Sequence, residues 1–204
     1  MYYNQLEQVR LHDQDWYKIK ADEAFPFVIG DWYKGYADAY MKYVEKRNVV
    51  VQAGGFCGIY PKLFSQMFGI VYTFEPDPLN FFCLTMNCQS DNIVKFQAAL
   101  GDTHQMVMLS RNCPTNAGMN TVGPTNGLGI PTMRIDDLGL SDCSLIQLDT
   151  EGYEHIILHG AVETIRKFGP VISVEDNNLR IESLLLSFGY KPMIKIDRDT
   201  IFAR

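Results

Sequence analysis

The residues best suited to chemistry stand where short apolar runs stop. Val49 to Ala53 (VVVQA) leads into QAGGFCG, Gln52 to Gly58, which sets Gly54, Gly55 and Gly58 between a predicted strand and a predicted helix. Glycine lets a backbone turn tightly and approach a ligand, and a helix starting just behind offers unpaired N–H groups to an anion. The next run, Ile70 to Phe74, ends in FEPD, with Glu75 lying 21 residues after Gly54 and 17 after Gly58. A carboxylate at such a strand end can accept hydrogen bonds from two vicinal ribose hydroxyls, which is how folds of this kind hold adenosine. The glycine spacing is not G-x-G-x-x-G, because position 56 is Phe and position 59 is Ile. That counts against a nicotinamide dinucleotide. His155 and His159 are spaced to share one helix face, a geometry that can bind metal, but no third ligand of matching spacing accompanies them. No metal is expected.

Strand ends matter because, in an open parallel sheet, the ligand crevice lies outside the carboxyl ends of the strands, where strand order reverses. From residue 49 onward, β-branched apolar runs alternate with segments of helical period, the pattern of a parallel sheet covered on both faces. Seven strands are predicted, at 49–53, 70–74, 93–100, 144–148, 171–174, 191–196 and 200–203, the last two flanking Asp197-Arg198-Asp199 as a closing hairpin. Apolar faces predict helices over Ile59 to Phe68, Leu79 to Met86, Ile157 to Phe168 and Ile181 to Phe188. The expected fold is α/β and Rossmann-like: a mostly parallel seven-stranded sheet with a closing antiparallel hairpin and helices on both faces. A single domain, 1–204, is expected, with an aromatic-rich extension at 1–48, a core at 49–204 and an insertion at 102–131.

The insertion is dense in Gly, Pro, Asn and Thr, and reads either as a substrate loop around a hairpin or as a surface insertion without a role. In the extension the aromatics are Tyr2, Tyr3, Trp16, Tyr17, Phe25, Phe27, Trp32, Tyr33, Tyr36, Tyr40 and Tyr43. Asp31 reads as the N-cap of a helix running to about Arg47, on which Trp32, Tyr36, Tyr40 and Tyr43 share a stripe. That stripe packs against the sheet or against a partner subunit in a homo-oligomer; stacking on a sugar ring is the alternative.

Composition narrows the function classes. A chain of 204 residues, 47% hydrophobic and 21% charged, can bury a core. Its net charge of −6, from 24 acidic against 18 basic residues, disfavours a nucleic-acid partner bound through phosphates. No apolar run approaches the ~20 residues of a spanning helix, and the first residues lack the order of a signal peptide. A soluble, cytoplasmic protein without a membrane partner is expected. Cys57, Cys83, Cys88, Cys113 and Cys143 contain no CxxC pair and read as reduced thiols.

With LIQLDTEGYE, Leu145 to Glu154, added to the glycine loop and Glu75, the chain resembles the FkbM family of class I, S-adenosylmethionine-dependent methyltransferases over roughly residues 49 to 190. VVVQAGGFCG resembles that family's VDVGANxG, and FEPDPLNF its ribose-binding strand end. FQAALGD resembles its third-strand element and MRIDDL the lead into the fourth strand. LIQLDTEGYEHIILHGA resembles the IKIDVEGxExxVLxGA signature, and FGPVISVE completes the match. Gln52 stands where the family carries Asp, Phe56 where it carries Asn, and Gln147 where it carries Lys. Losing the Asp removes a charge interaction near the methionine ammonium and sulfonium, although the Gln52 carbonyl can still accept a hydrogen bond.

The resemblance implies an S-adenosylmethionine site built from Gln52, Gly54, Gly55, Phe56, Gly58, Glu75, Pro76 and Asp149, with Gln97, Ala98 and Ala99 bordering the adenine. It implies methylation of a hydroxyl on a small-molecule acceptor such as a sugar or polyketide. An in-line displacement of this kind needs alignment, exclusion of water and a general base. By topology Asp149 and Glu151 are the nearest acids, Glu175 and Asp176 come second, and His104 is a further candidate. Asp149 could equally cap the helix that follows it. The rival readings are a nucleoside-binding module of the same fold without turnover, and an NAD-dependent oxidoreductase. Acceptor choice is expected to reside in the first 48 residues, in the 102–131 insertion or in a partner subunit.

Overall fold

Runs rich in β-branched residues, such as VVVQA and VISVE, suit strands buried on both faces of a parallel sheet, and that is where they lie. A computed structural model describes all residues except 1–4, 12, 29–31, 114, 124–126 and 176, with backbone only at 27–28 and 32–34. The chain begins with a hairpin, β1 (Leu6–Leu11) and β2 (Gln14–Ile19), and two helices, α1 (Phe25–Val28) and α2 (Trp32–Met41). Next come β3 (Val49–Ala53), α3 (Ile59–Phe64), β4 (Ile70–Phe74), α4 (Pro78–Asn87) and β5 (Ile93–Phe96). They are followed by β6 (Ala99–Leu100), β7 (Met106–Ser110), β8 (Thr121–Gly123) and β9 (Leu128–Met133). Alternation resumes with β10 (Leu145–Leu148), α5 (Glu154–His159), α6 (Val162–Phe168), β11 (Val171–Glu175) and α7 (Leu179–Ser187), and closes on β12 (Lys191–Ile196) and β13 (Asp199–Ala203).

The main sheet has seven strands in the order β12-β13-β11-β10-β3-β4-β5. Strands β3, β4, β5, β10 and β11 are parallel, and the closing hairpin is antiparallel, as expected. The chain steps outward from β3 to β5, then returns to β10 and steps outward on the other side. The order therefore reverses between β3 and β10, where a crevice must open. One face packs Val51, Ile146, Leu148 and Ile172 against Ile157, Ile165, Ile181 and Leu185 of the helices. The other packs Val50, Val71, Leu145 and Val171 against Phe64 and the stripe residues Tyr36 and Tyr40. Of the readings of that stripe, packing on the chain's own sheet holds for these two rings. Helix α2 stops at Met41, short of Arg47. Tyr2, Tyr3, Asp31, Asp176 and the side chains of Phe27, Trp32 and Tyr33 lie outside the described residues.

Four predicted elements differ. The strand predicted over 93–100 divides, because Ala99 and Leu100 pair with Thr132 and Met133 instead of continuing β5. They join β7, β8 and β9 in a second sheet ordered β6-β9-β7-β8, so the insertion builds a larger sheet than the hairpin its sequence suggests. The helix predicted over 157–168 breaks after His159. A Cβ on Gly160 would overlap the Gly101 carbonyl oxygen, and this close backbone approach interrupts the turn. Asp136 then caps the restart, accepting from the N–H groups of Glu163 at 3.2 Å and Thr164 at 2.8 Å. The helix predicted over 59–68 ends at Phe64. The β1–β2 hairpin has no predicted counterpart, since Leu6, Val9 and Leu11 do not alternate. Among the described residues no helix is long and apolar enough to cross a membrane.

One buried carboxylate fastens the second sheet to the first. Asp77 is fully buried and caps α4, accepting from Leu79 N–H at 2.7 Å and Asn80 N–H at 3.3 Å. Its oxygens also accept from Arg111 Nε at 2.6 Å and Nη2 at 3.1 Å, and from Asn120 Nδ2 at 3.1 Å. Asp77→Ala should lower the unfolding free energy by about 2–4 kcal/mol, combining the lost cap with a broken ion pair whose cation is half exposed. Asp77→Asn, which keeps a capping oxygen, should cost less; urea unfolding of both variants checks this.

Candidate active site

Register places the site in one row. Ala53 pairs with both Phe74 and Leu148, and Leu148 with Val174, so the next residues, Gly54, Glu75, Asp149 and Glu175, come side by side at the carboxyl edge. They border a cavity of about 290 Å³. Its wall also holds Phe56, Pro76, Asn80, Ala98, Ala99, Leu100, Glu151, Tyr153 and Arg198, and residues 116–120 and Val122 of the insertion.

The glycine loop works by close approach. Gly54 has φ +83°, and a Cβ there would overlap the Asp149 carbonyl oxygen, so only glycine lets the loop lie against the end of β10. The N–H groups of Gly54 and Gly55 both donate to the Phe74 carbonyl, at 3.1 and 2.9 Å. Phe56 follows in the left-handed region, at φ 47°, an uncommon and strained place for a bulky residue. Its N–H donates to Glu75 Oε2 at 2.7 Å, and its ring meets Phe25 edge-on at 5.8 Å. The described part of the N-terminal extension therefore backs the loop instead of facing the cavity.

Glu75 is buried, and its second oxygen accepts from Asp77 N–H at 2.8 Å. Burial pushes its carboxyl up to about 7, against the pull of these two backbone donors. Each carboxylate oxygen can accept more than one hydrogen bond, so capacity for a ligand remains. Nearby, Asn80 Oδ1 is a buried wall atom with no donor among the described residues.

On the other side of Gly54, oxygens of Asp149, Glu151 and Glu175 lie within 4.8 Å of one another. Glu175 Oε1 accepts from Arg198 Nη1 at 2.7 Å, and Arg198 Nη2 stands 4.0 Å from Glu151. Burial, and then the neighbouring Glu175, hold the Asp149 carboxyl well above the usual carboxylate range; burial raises Glu175 too, opposed by Arg198. Glu151 is set toward the cavity by a turn in which it has φ 53° and Gly152 has φ 96°. Glu154 secures that turn, accepting from Thr150 N–H at 3.0 Å and Gly152 N–H at 3.3 Å. Glu154 thus takes the Gly152 N–H that was open to Asp149, and among the described residues no side chain caps α5.

Of the residues assigned by sequence, Gly54, Phe56, Glu75, Pro76, Ala98, Ala99, Asp149 and Glu151 line the cavity. Four do not. Gln52 is fully buried below the loop, donating to the carbonyls of Ala53 at 3.0 Å and Gly54 at 2.9 Å and accepting from Thr73. Gly55 and Gly58 make room for Leu84 and Cys88 of the α4 region, and Gln97 points to solvent in the break between β5 and β6. His104 pairs with Asp137 at 2.8 Å on the surface, away from the wall. His155 and His159 are 3.3 Å apart and exposed on α5. Residues 116–120 belong to the 102–131 insertion that sequence reasoning marks as a candidate substrate loop, whereas it missed Arg198 and Asn80. Arg198 could have been found, since a hairpin antiparallel to β11 turns at the carboxyl edge of the sheet.

Glu75, Asp149, Glu175 and Asp199 are all raised, with burial the largest cause in each. The folded chain then holds protons on these groups at a pH where the unfolded chain has lost them. Their contribution to stability is full at low pH and is lost as pH rises from the ordinary carboxylate range through about 7, the value for Glu75. Urea unfolding should show stability falling between about pH 4.5 and about pH 7, by roughly 1.4 kcal/mol per pH unit for each extra proton the folded chain holds. A flat or rising profile would contradict the burial of these groups.

The profile of the methyltransferase FkbM domain family matches residues 60–192. Among solved structures, the chain is similar to an FkbM methyltransferase from Methylobacillus flagellatus KT, with TM-score 0.59 and 15% identity over 96% of this chain and 56% of that one. It therefore spans little more than half the length of that relative. It is also similar to a precorrin 8w decarboxylase from Methanobacterium thermoautotrophicum, with TM-score 0.54 and 14% identity over 85% of this chain and 89% of that one. A third likeness is the 16S rRNA N2 G1207 methyltransferase of T. thermophilus, solved with AdoMet and guanosine, at TM-score 0.52 and 11% identity over 98% and 50%. A search of curated proteins by sequence finds no match. The fold is that of class I methyltransferases, and the chain belongs to the FkbM methyltransferase family.

Proposed function

We propose that the chain uses S-adenosylmethionine to methylate a hydroxyl of a small, uncharged molecule such as a sugar or polyketide. The observation that carries this reading is the pairing, in one cavity, of a buried strand-end Glu75 with the Asp149–Glu175 carboxylates across Gly54. Glu75 offers acceptor capacity for a ribose diol, and the donorless Asn80 Oδ1 beside it suits a ligand rich in donors. Ala98, Ala99 and Leu100 supply an apolar bed for a base. Four wall carboxylates face one wall cation, Arg198, which favours a positively charged ligand and disfavours a phosphorylated or carboxylated acceptor.

When bound, the sulfonium donor supplies a methyl group already activated for displacement. The chain's own task is to align the acceptor, exclude water and receive the hydroxyl proton. Asp149 and Glu175 are the groups placed to receive it. Residues 116–120, tied to Asp77 through Asn120, cover the site, and Met119 with Val122 of β8 offers acceptor-facing surface.

Isothermal titration with S-adenosylmethionine, S-adenosylhomocysteine and NAD tests the cofactor, and no binding of either sulfur compound would sink the reading. Glu75→Ala should weaken both by roughly 10- to 150-fold, the effect of about 1.5–3 kcal/mol for hydrogen bonds to a charged group. With radiolabelled donor and a panel of free sugars and hydroxylated metabolites, Glu175→Gln should cut transfer by about 10²- to 10⁴-fold while the homocysteine product still binds. Binding without transfer to any acceptor would favour the nucleoside-binding module.

A further inference from the structure

We propose that Asp149 and Glu175 share one proton while the cavity holds no cation, and release it to solvent when a sulfonium enters, so that binding the methyl donor creates the base. The inference rests on the cofactor reading above and concerns only the charge state of this pair. Its ground is geometric. Three carboxylates within 4.8 Å have one guanidinium among them, and like charges so close cannot all ionise. The position of the proton follows from hydrogen bonding. Glu175 is 8% exposed, and its Oε1 is taken by Arg198, yet its buried Oε2 has no donor among the described residues. The neighbouring Asp149 carboxyl supplies that donor once protonated, which agrees with the upward shift at Asp149 and with its hydrogen bond lowering Glu175.

The surroundings reinforce this state. Glu151 from the turn after β10 adds negative charge, and Asp199, cross-strand partner of Glu175, adds more. Arg198 opposes them from the hairpin tip. Tyr60 of α3 and Tyr36 of α2 feel the same acids and stay phenols, their ionisation suppressed first by burial and then by Asp199 at Tyr60 and by Asp197 and Asp199 at Tyr36. A cation in the cavity replaces the proton as the compensating charge. On transfer, an oxygen lone pair of the acceptor forms the new O–C bond, the S–C bond breaks with its electrons returning to sulfur, and the hydroxyl proton goes to the pair. The charge of the site is then the same before and after transfer.

Titration of the whole chain in two buffers of different ionisation enthalpy, at about pH 7.5, counts the protons released on binding. S-Adenosylmethionine should release about one proton more than S-adenosylhomocysteine, which shares every other group, so that any proton lost from Glu75 cancels. Asp149→Asn should erase the difference, its fold being checked by retained binding of S-adenosylhomocysteine. Should that variant not fold, infrared difference spectra of the unaltered chain serve instead. S-Adenosylmethionine should bleach the carbonyl stretch of a neutral carboxylic acid that S-adenosylhomocysteine leaves in place. Equal proton release with both ligands bound overturns the inference and leaves the cofactor reading standing. Failure of both to bind overturns the two together.

Discussion

The site depends on the contact of Gly54 with the Asp149 carbonyl oxygen. Strands β3 and β10 are neighbours although the chain between them makes two further parallel strands and a second sheet, and their pairing aligns Leu148 with Ala53. In a parallel sheet, in-register residues project to the same face, so the alignment sets Glu75, Asp149 and Glu175 along one edge. A side chain at position 54 would push the loop off β10. The acids would then remain at their strand ends, but the loop carrying Phe56, and with it the N–H that meets Glu75, would be displaced. What looks like a flexible glycine turn is a spacer of zero thickness.

The same register explains two departures from the FkbM signature as one. Gln52 and Gln147 are cross-strand partners, between Thr73 and Ser173 in a buried polar row that lies one pleat below the acids. Set against the Asp and Lys of the resemblance, this chain carries two amides side by side, and the row has no formal charge. Gln52 uses its amide to pin the loop from beneath. Neither end of the Gln147 amide has a hydrogen-bond partner among the described residues. A buried unmet amide opposes folding, and the row therefore loses more than hydrogen-bond geometry alone would ask.

The parallel strands were readable because each is a short run dominated by β-branched and other apolar residues, whose burial needs no knowledge of its neighbours. Residues such as Gly54 and Glu75 were readable for a related reason: a strand end is a local event with a known chemical meaning. The rest depended on partners distant in sequence. Ala99 and Leu100 look like a continuation of β5 until β9 competes for them. Asp149 looks like a cap until Glu154 takes the turn's N–H groups. Arg198 belongs to a hairpin that could be placed, yet its role follows only from the antiparallel pairing of Glu175 with Asp199. The hairpin over 6–19 is tied to the core through Asn87, which bonds both backbone groups of Tyr17 across 70 residues and also holds the Cys57 carbonyl.

Arg198 also ties the closure of the sheet to the charge of the site. The hairpin of β12 and β13 covers the edge of β11, and its tip carries the guanidinium that meets Glu175. Were the hairpin to undock, β11 would have an open edge, and Asp149, Glu151 and Glu175 would stand without that cation. The closing strand of the sheet and the counter-charge of the site are thus gained or lost together.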